Sequence, residues 1–126
     1  MSDLHAIAEV MEFNPDLLPP ESLSPRARQA YDVILSFLME HDLTFTGGCP
    51  AFVHPDKWDG DYGKNSILIV LHDGGDVGRA FSLDKYEYDL VEAMDKKLEK
   101  IGLYSEQCTL YQSAIYEVKT GPGQRF

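Results

Sequence analysis

The sequence predicts a small α+β domain, in which an antiparallel sheet of about four to five strands is covered by helices on one face. Its 126 residues are 44% hydrophobic and 25% charged, which suits one compact domain with an ordinary core. Segments with helical or strand-like patterning follow one another in the order α-α-β-β-β-α-β-β. Strands that come in runs, with helices grouped around them, are typical of α+β folds.

The first two helices are predicted from apolar spacing and from their ends. Residues 3–12 carry apolar side chains at helical intervals, and the prolines that follow end this segment. We therefore expect residues 1–23 to form a helical arm and linker of a single domain, 1–118. Ser24 is a good helix cap and Pro25 suits a first helical position, so a second helix should run from there to about His41.

The middle of the chain predicts three strands and a long loop. Leu43–Thr46 alternates and is rich in β-formers, whereas residues 49–65 contain prolines, glycines and charges that favour a loop. Ser66–His72 lacks alternation, so both of its faces should be buried. Asp73–Asp76, with two central glycines, predicts a turn, after which Val77–Phe81 would return as the second strand of a hairpin.

The last third predicts a helix and two strands. Asp84 and Glu87 have the spacing of a capping box. The helix that follows should bury apolar residues at steps of three and four, which are Tyr86, Leu90, Met94, Leu98 and Ile101. Leu103–Cys108 and Ser113–Val118 are predicted as closing strands. Residues 119–126 lack a pattern and are expected to form a flexible tail.

The charge is strongly acidic and unevenly distributed. There are 21 acidic and 11 basic residues, a net charge of −10, and residues 1–76 hold 13 of the acids but only 4 of the bases. This asymmetry predicts an acidic face, which disfavours direct binding to nucleic acid or to anionic lipid and favours basic partners. The alternative is that the excess charge serves only solubility.

The cysteines and the start of the chain predict a reducing compartment. The two cysteines, Cys49 and Cys108, are far apart, and the first residues lack the basic and apolar regions of a secretory signal. The longest apolar run, Ile67–Leu71, is too short to span a membrane. We expect a cytoplasmic protein whose two thiols are free and partly buried.

Three groups of residues have the composition of a chemical site, but none has a diagnostic spacing. The thiols of Cys49 and Cys108 and the imidazoles of His54 and His72 would suit zinc, although zinc ligands usually come in pairs that lie closer together in the sequence. A Cys49 nucleophile would need His54, His72 or Asp73 to act as a base or to lower the pKa of the thiol. No sequence signature of cysteine hydrolases accompanies it. His72–Asp76 is too short for a calcium loop and lacks the Lys-Ser/Thr of a phosphate loop, which favours a turn. We therefore assign no catalytic residue, metal or cofactor.

Aromatic residues are the remaining candidates for a binding surface. The seven tyrosines, six phenylalanines and one tryptophan are interspersed with acids rather than with lysine and arginine, which disfavours nucleic-acid stacking. Tyrosines are enriched at protein interfaces, so four of them are candidates for a protein-binding face. These are Tyr62, Tyr104, Tyr111 and Tyr116. The alternative is that most of them fill the core.

A set of short motifs between residues 45 and 118 carries a resemblance. These are Phe-Thr-Gly-Gly-Cys-Pro-Ala-Phe with Pro55 and Trp58, Tyr-Gly-Lys-Asn-Ser, the strand that ends in His72-Asp-Gly-Gly, Gly102-Leu-Tyr-Ser-Glu-Gln-Cys and Ala114-Ile-Tyr116. Together they resemble small uncharacterised acidic proteins encoded by bacteriophages and other mobile elements. The resemblance implies an inhibitor of host defence or of host nucleic-acid machinery, and some such proteins mimic the surface of DNA.

These observations predict a non-enzymatic inhibitor that uses an acidic face to block a basic, nucleic-acid-binding site on a host protein such as a defence nuclease complex. If the chain is phage-encoded, it would act in the host cytoplasm. A second copy of the chain, in a homodimer, is also a candidate partner. The predicted contact residues are Asp56, Asp59, Asp61, Asp73, Asp76, Glu9, Glu12 and Tyr62. The alternative function is a small metal- or cysteine-dependent enzyme centred on Cys49, His54, His72 and Asp73. A third is a phage structural or assembly factor.

Overall fold

A computed structural model describes residues 14–118 of the chain. The predicted helix over residues 3–12, with Glu9 and Glu12, and the predicted tail over residues 119–126 lie outside the described residues. Within them, two α-helices and a four-stranded antiparallel sheet confirm the predicted α+β class. No helix in this part of the chain is long and apolar enough to cross a membrane.

The first described α-helix, α1 (Pro25–Glu40), has the bounds that its caps predict. The Ser24 hydroxyl oxygen accepts a hydrogen bond from the Ala27 amide at 3.1 Å, Pro25 is the first helical residue, and His41 follows the end. One side of the helix is fully buried, including Tyr31 and the aliphatic residues one turn on. The Tyr31 hydroxyl donates to the Leu17 carbonyl at 2.7 Å, so the helix holds the Pro15–Leu17 3₁₀ turn against the core.

The sheet is built from strands β1 (Phe52–Val53), β2 (Leu68–Leu71), β3 (Leu103–Thr109) and β4 (Gln112–Glu117). Their order in the sheet is β1-β2-β4-β3, and every neighbouring pair is antiparallel. The second helix, α2 (Tyr88–Glu99), packs on β3 and on α1. Both helices therefore cover the same face of the sheet, as predicted.

Strand β2 is buried on both faces, as its unbroken apolar run predicts. Leu68 and Val70 belong to the core between sheet and helices, whereas Ile69 points the other way and is equally inaccessible. A short loop segment provides the cover on that second side. Gly63 lies so close to the Ile69 and Gln112 side chains that a Cβ there would come within 2.8 Å of both.

The predicted strand over Leu43–Thr46 is wrong, because other partners take its backbone groups. The Leu43 amide donates to the Leu38 carbonyl at the end of α1, and the Asn14 side chain donates to the Thr44 carbonyl at 2.8 Å. No ladder forms with a neighbouring strand in the described part of the chain. The strand at the edge next to β2 is instead β1, which lies within the segment predicted as a loop.

The predicted hairpin after β2 is also wrong, although the turn itself is present. Gly74 and Gly75 have positive φ angles of 84° and 72°, as expected. The Asp76 amide then donates to the Phe45 carbonyl at 2.7 Å, and the chain continues as the 3₁₀ helix Val77–Ala80 instead of a strand. Since no strand returns here, β2 pairs with β4.

The predicted capping box at Asp84 and Glu87 does not form. Leu83–Lys85 is a separate 3₁₀ helix, and Tyr86, expected to be buried, is 77% exposed with a positive φ angle of 60°. The Glu87 carboxylate accepts two hydrogen bonds from the Arg79 guanidinium, at 2.7 and 2.9 Å. This ion pair draws Glu87 away from a capping role, so α2 begins one turn later than the sequence predicts.

Candidate functional site

The face of the sheet opposite the two helices carries a concave surface. We call it the helix-free face; its strand residues include Ile69, Leu71, Gln112, Ala114 and Tyr116. Leu71 pairs with Gln112 and Ile69 with Ala114, which puts their side chains on one side. A cleft of about 440 Å³ opens over the end of this face, within the usual range for ligand pockets.

Aromatic residues from separate loops line this cleft. Trp58 and Tyr62 come from the loop after β1, and Tyr111 comes from the turn between β3 and β4. Tyr62 is 58% exposed and Tyr111 is 55% exposed, whereas Trp58 is half-buried. Leu71 contributes an aliphatic surface from the sheet.

Hydrogen bonds fix the loop that carries Trp58 and Tyr62 to the sheet. The Tyr62 carbonyl accepts two hydrogen bonds, one from the Trp58 indole nitrogen at 2.8 Å and one from the Gln112 side chain at 3.0 Å. The Lys64 ammonium donates to the Trp58 carbonyl at 3.2 Å. Gly60 lies against the indole, where a Cβ would come within 2.6 Å of the ring. The cleft wall is therefore held in place before any ligand arrives.

Two carboxylates and a thiol complete the lining. Asp61 and Asp73 are both exposed and come from different loops, and Cys49 is half-buried beside them. Within residues 14–118, no lysine, arginine or histidine lines the cleft. The site thus combines aromatic surface with two negative charges that face solvent.

The other predicted contact residues lie in different settings. Asp56 and Asp59 are exposed on the same loop as Asp61. Asp76 is half-buried and lies 3.7 Å from Arg79, so its charge is partly compensated. Glu9 and Glu12 fall outside the described residues. The structure therefore brings Asp61, Tyr62 and Asp73 together at the cleft, with Asp56 and Asp59 on the loop that forms one wall.

The four candidate tyrosines lie on the helix-free side. Tyr62 and Tyr111 line the cleft, while Tyr104 pairs with Tyr116 across β3 and β4. The rings of that pair stack with their centroids 5.5 Å apart. Burial raises the pKa of the Tyr116 hydroxyl, and the nearby Cys108 and Glu106 add to the effect. None of the four belongs to the core between sheet and helices.

The residues proposed for an enzyme are divided between the two faces of the sheet. Cys49 and Asp73 line the cleft, but His72 points into the helix side, where it stacks on Phe81 and lies 3.0 Å from the Ser113 hydroxyl. His54 caps the following 3₁₀ helix by accepting a hydrogen bond from the Asp56 amide. No group of three or more metal-ligating side chains occurs within residues 14–118.

Burial lowers the pKa of His72 to about 4, so its imidazole is neutral at ordinary pH. Both cysteines are free and half-buried, as predicted. Burial raises the pKa of the Cys108 thiol, which disfavours its thiolate form. The lowered pKa of His72 and the raised pKa of Cys108 therefore give no support to acid–base or thiolate chemistry at a shared centre.

Sequence reasoning missed the cleft because its lining comes from distant segments. Gly60, Thr109 and Gln112 were not singled out, although all three line it. The one feature of the sequence that points to the cleft is Gln112, a polar residue at the start of a strand and next to Tyr111. That signal becomes specific only when β4 is known to pair with β2.

Comparison of the chain with protein-family models, with curated proteins and with solved structures finds no match. What the chain does must therefore be inferred from its own residues.

Proposed function

We propose that the chain is a non-enzymatic binding protein, whose acidic surface around the cleft occupies a basic, nucleic-acid-binding site on a larger protein. The observation that carries this proposal is the convergence of Asp61 and Asp73 with Tyr62 at one concave surface that no basic side chain lines in the described chain. The resemblance to phage-encoded acidic proteins favours a host defence nuclease complex as the partner.

The carboxylates concerned are free to meet a partner. Asp59, Asp61 and Asp73 are exposed, and none of them makes an ion pair within residues 14–118. Asp56 lies 3.9 Å from His54, and its side chain is 87% exposed. A basic partner would therefore gain Coulomb attraction without first breaking an existing pair.

The aromatic surface supplies what charge alone does not. Surface carboxylates mainly accelerate association and improve selectivity, whereas buried aromatic contacts supply most of the binding free energy. Tyr62 and Tyr111 are large, more than half exposed and adjacent to the carboxylates. This combination is typical of a protein-binding surface.

The enzyme alternative receives less support, because His72 does not share the cleft with Cys49 and Asp73. Zinc analysis of the purified protein and thiol titration at graded pH would test it. Bound zinc, or a thiolate at neutral pH, would favour the alternative.

Charge reversal tests the proposed function. Capture from a host lysate identifies the partner, and its affinity is then measured for a variant with Asp56, Asp59 and Asp61 changed to Lys. We expect binding to be abolished and the melting temperature to change little, since all three side chains are exposed. Wild-type binding should also weaken steeply as salt rises.

A matched control separates a local effect from an effect of net charge. Asp89, Glu92 and Glu99 are exposed on α2, on the other side of the sheet, and their reversal changes the net charge by the same amount. Reversal of Lys96 and Lys97 to Glu is a second control. Equal loss of binding in both triple variants, or wild-type affinity that does not vary with salt, would refute the proposal.

A further inference from the structure

We infer that the cleft binds an arginine side chain of the partner, with the guanidinium between its aromatic residues and its two carboxylates. This inference rests on the proposed function and names the group that the site takes. The shape of the cleft, its aromatic residues and its charge all favour such a ligand.

The cleft is large enough to admit an inserted side chain. Its volume of about 440 Å³ is at the small end of the range for ligand pockets, and most of its lining surface is apolar. The Trp58 indole is held by its bond to the Tyr62 carbonyl and by close contact with Gly60. A ligand that enters therefore meets an ordered aromatic wall and has little loop ordering to offset.

Charge complementarity selects a cation. Asp61 and Asp73 reach the cleft from separate loops, and within residues 14–118 its lining contains no base. A phosphate or carboxylate ligand would be repelled by both side chains. A cation that also presents an apolar, planar surface would satisfy the carboxylates and the aromatic residues together.

Among protein side chains, arginine fits this description better than lysine. The guanidinium is planar, stacks on aromatic faces and donates bidentate hydrogen bonds to a carboxylate, whereas the lysine ammonium is compact and strongly hydrated. Arginine is also, with lysine, one of the two residues that nucleic-acid-binding sites use most often for specific base contacts. The cleft thus takes a group that the proposed partner would present.

A fluorescence titration tests the inference directly, because Trp58 is the single tryptophan of the chain and lines the cleft. The probe is the capped peptide acetyl-Gly-Gly-Arg-Gly-Gly-amide, compared with peptides that carry lysine or citrulline at the centre. Citrulline keeps the shape of arginine and removes its charge. We expect a saturable change with a dissociation constant on the order of millimolar for arginine, weaker binding for lysine and none for citrulline.

Carboxylate variants locate the binding site. Asp73→Asn and Asp61→Asn should each weaken binding of the arginine peptide by about two- to fivefold, since each removes a charge-assisted contact of an exposed carboxylate. Asp89→Asn, on α2, is the matched control and should bind as the wild type does. Equal binding of the arginine and citrulline peptides, no saturable change, or equal weakening in the control would overturn the inference.

The two cysteines provide a readout that does not depend on fluorescence. Cys49 lines the cleft and Cys108 does not, and both are half-buried free thiols. The arginine peptide at saturating concentration should slow the alkylation of Cys49 by iodoacetamide and leave the rate at Cys108 unchanged. Alkylation of Cys49 that is insensitive to the peptide would contradict occupancy of the cleft.

A further variant separates this inference from the proposed function. Asp73→Asn combined with Tyr111→Ala alters the cleft and leaves the carboxylates of residues 56–61 intact. If the double variant binds the partner normally while the triple charge reversal does not, the arginine inference fails and the proposed function stands. If the arginine peptide binds the wild type but charge reversal leaves partner binding intact, the proposed function fails.

Discussion

Mild acid should destabilise the folded chain through His72. The imidazole is 2% exposed, its Nε2 lies 3.0 Å from the Ser113 hydroxyl, and its ring stacks on Phe81. Among the described residues, Nδ1 has no hydrogen-bond partner. A protonated ring would therefore place a charge inside the core.

The expected loss of stability follows from the difference between the two pKa values of His72. Burial lowers the pKa to about 4, and the charge of Lys85 makes a smaller contribution in the same direction. An interaction with the backbone of His72 itself and the charge of Asp73 raise the pKa and offset part of this effect. In the unfolded chain the value returns to about 6.5. The unfolded chain thus binds the extra proton as pH falls from 6.5 to 4, and His72 alone should cost about 3 kcal/mol of unfolding free energy across that window. About 2 kcal/mol of this should be lost between pH 7 and pH 5.

Urea unfolding at several pH values, for the wild type and for His72→Gln, measures this loss. The carboxylates titrate in both proteins, so the difference between their pH profiles isolates the histidine. We expect the variant to lose about 2 kcal/mol less than the wild type between pH 7 and pH 5. The ring protons of His72 in the folded wild type should also keep their neutral chemical shifts at pH 5. Identical pH profiles, or a His72 that protonates near pH 6.5 in the folded protein, would refute the reasoning.

Three further changes test how the fold is held. Gly74 and Gly75 both have positive φ angles, but a Cβ would meet open space at Gly74 and would clash with the Phe45 carbonyl oxygen at Gly75. Gly75→Ala should therefore lower the unfolding free energy by well over the ~1 kcal/mol expected for Gly74→Ala, and equal losses in thermal or urea unfolding would contradict this close approach. Tyr31→Phe should cost about 1–2 kcal/mol in urea unfolding, because it removes the buried hydrogen bond to the Leu17 carbonyl; an unchanged midpoint would mean that this carbonyl finds another partner. Ser24→Ala should cost about 1 kcal/mol by loss of the cap of α1, and Ser24→Gly much less; equal losses would argue against the cap.

The elements that the sequence predicted well are those whose signals are local. Helix α1 has its cap, its first-turn proline and its apolar face within a short stretch, and β2 is a continuous apolar run. Strands β3 and β4 are separated by a short turn, so their pairing needs little chain closure. In each of these cases neighbouring residues supply most of the information.

The errors came from segments whose backbone partners lie far away in the sequence. Leu43–Thr46 has the composition of a strand, but Asn14 and the end of α1 take its hydrogen-bonding groups. Val77–Phe81 has the composition of a returning strand, but the bond from Asp76 to Phe45 redirects the chain before it can pair. Glu87 has the spacing of a capping residue and is instead held by Arg79.

The sequence by itself determined the acidic charge, the α+β class and the presence of an aromatic, carboxylate-rich loop, because composition and short-range patterning encode these properties. Only the tertiary structure decided which of those residues share a site. Asp61 and Asp73 meet Tyr111 because β2 pairs with β4, and the Tyr62 carbonyl then receives the Gln112 side chain. His72 directly follows Leu71, which lines the cleft with Cys49, and it faces the opposite side of the sheet, since successive side chains of an extended chain face opposite ways.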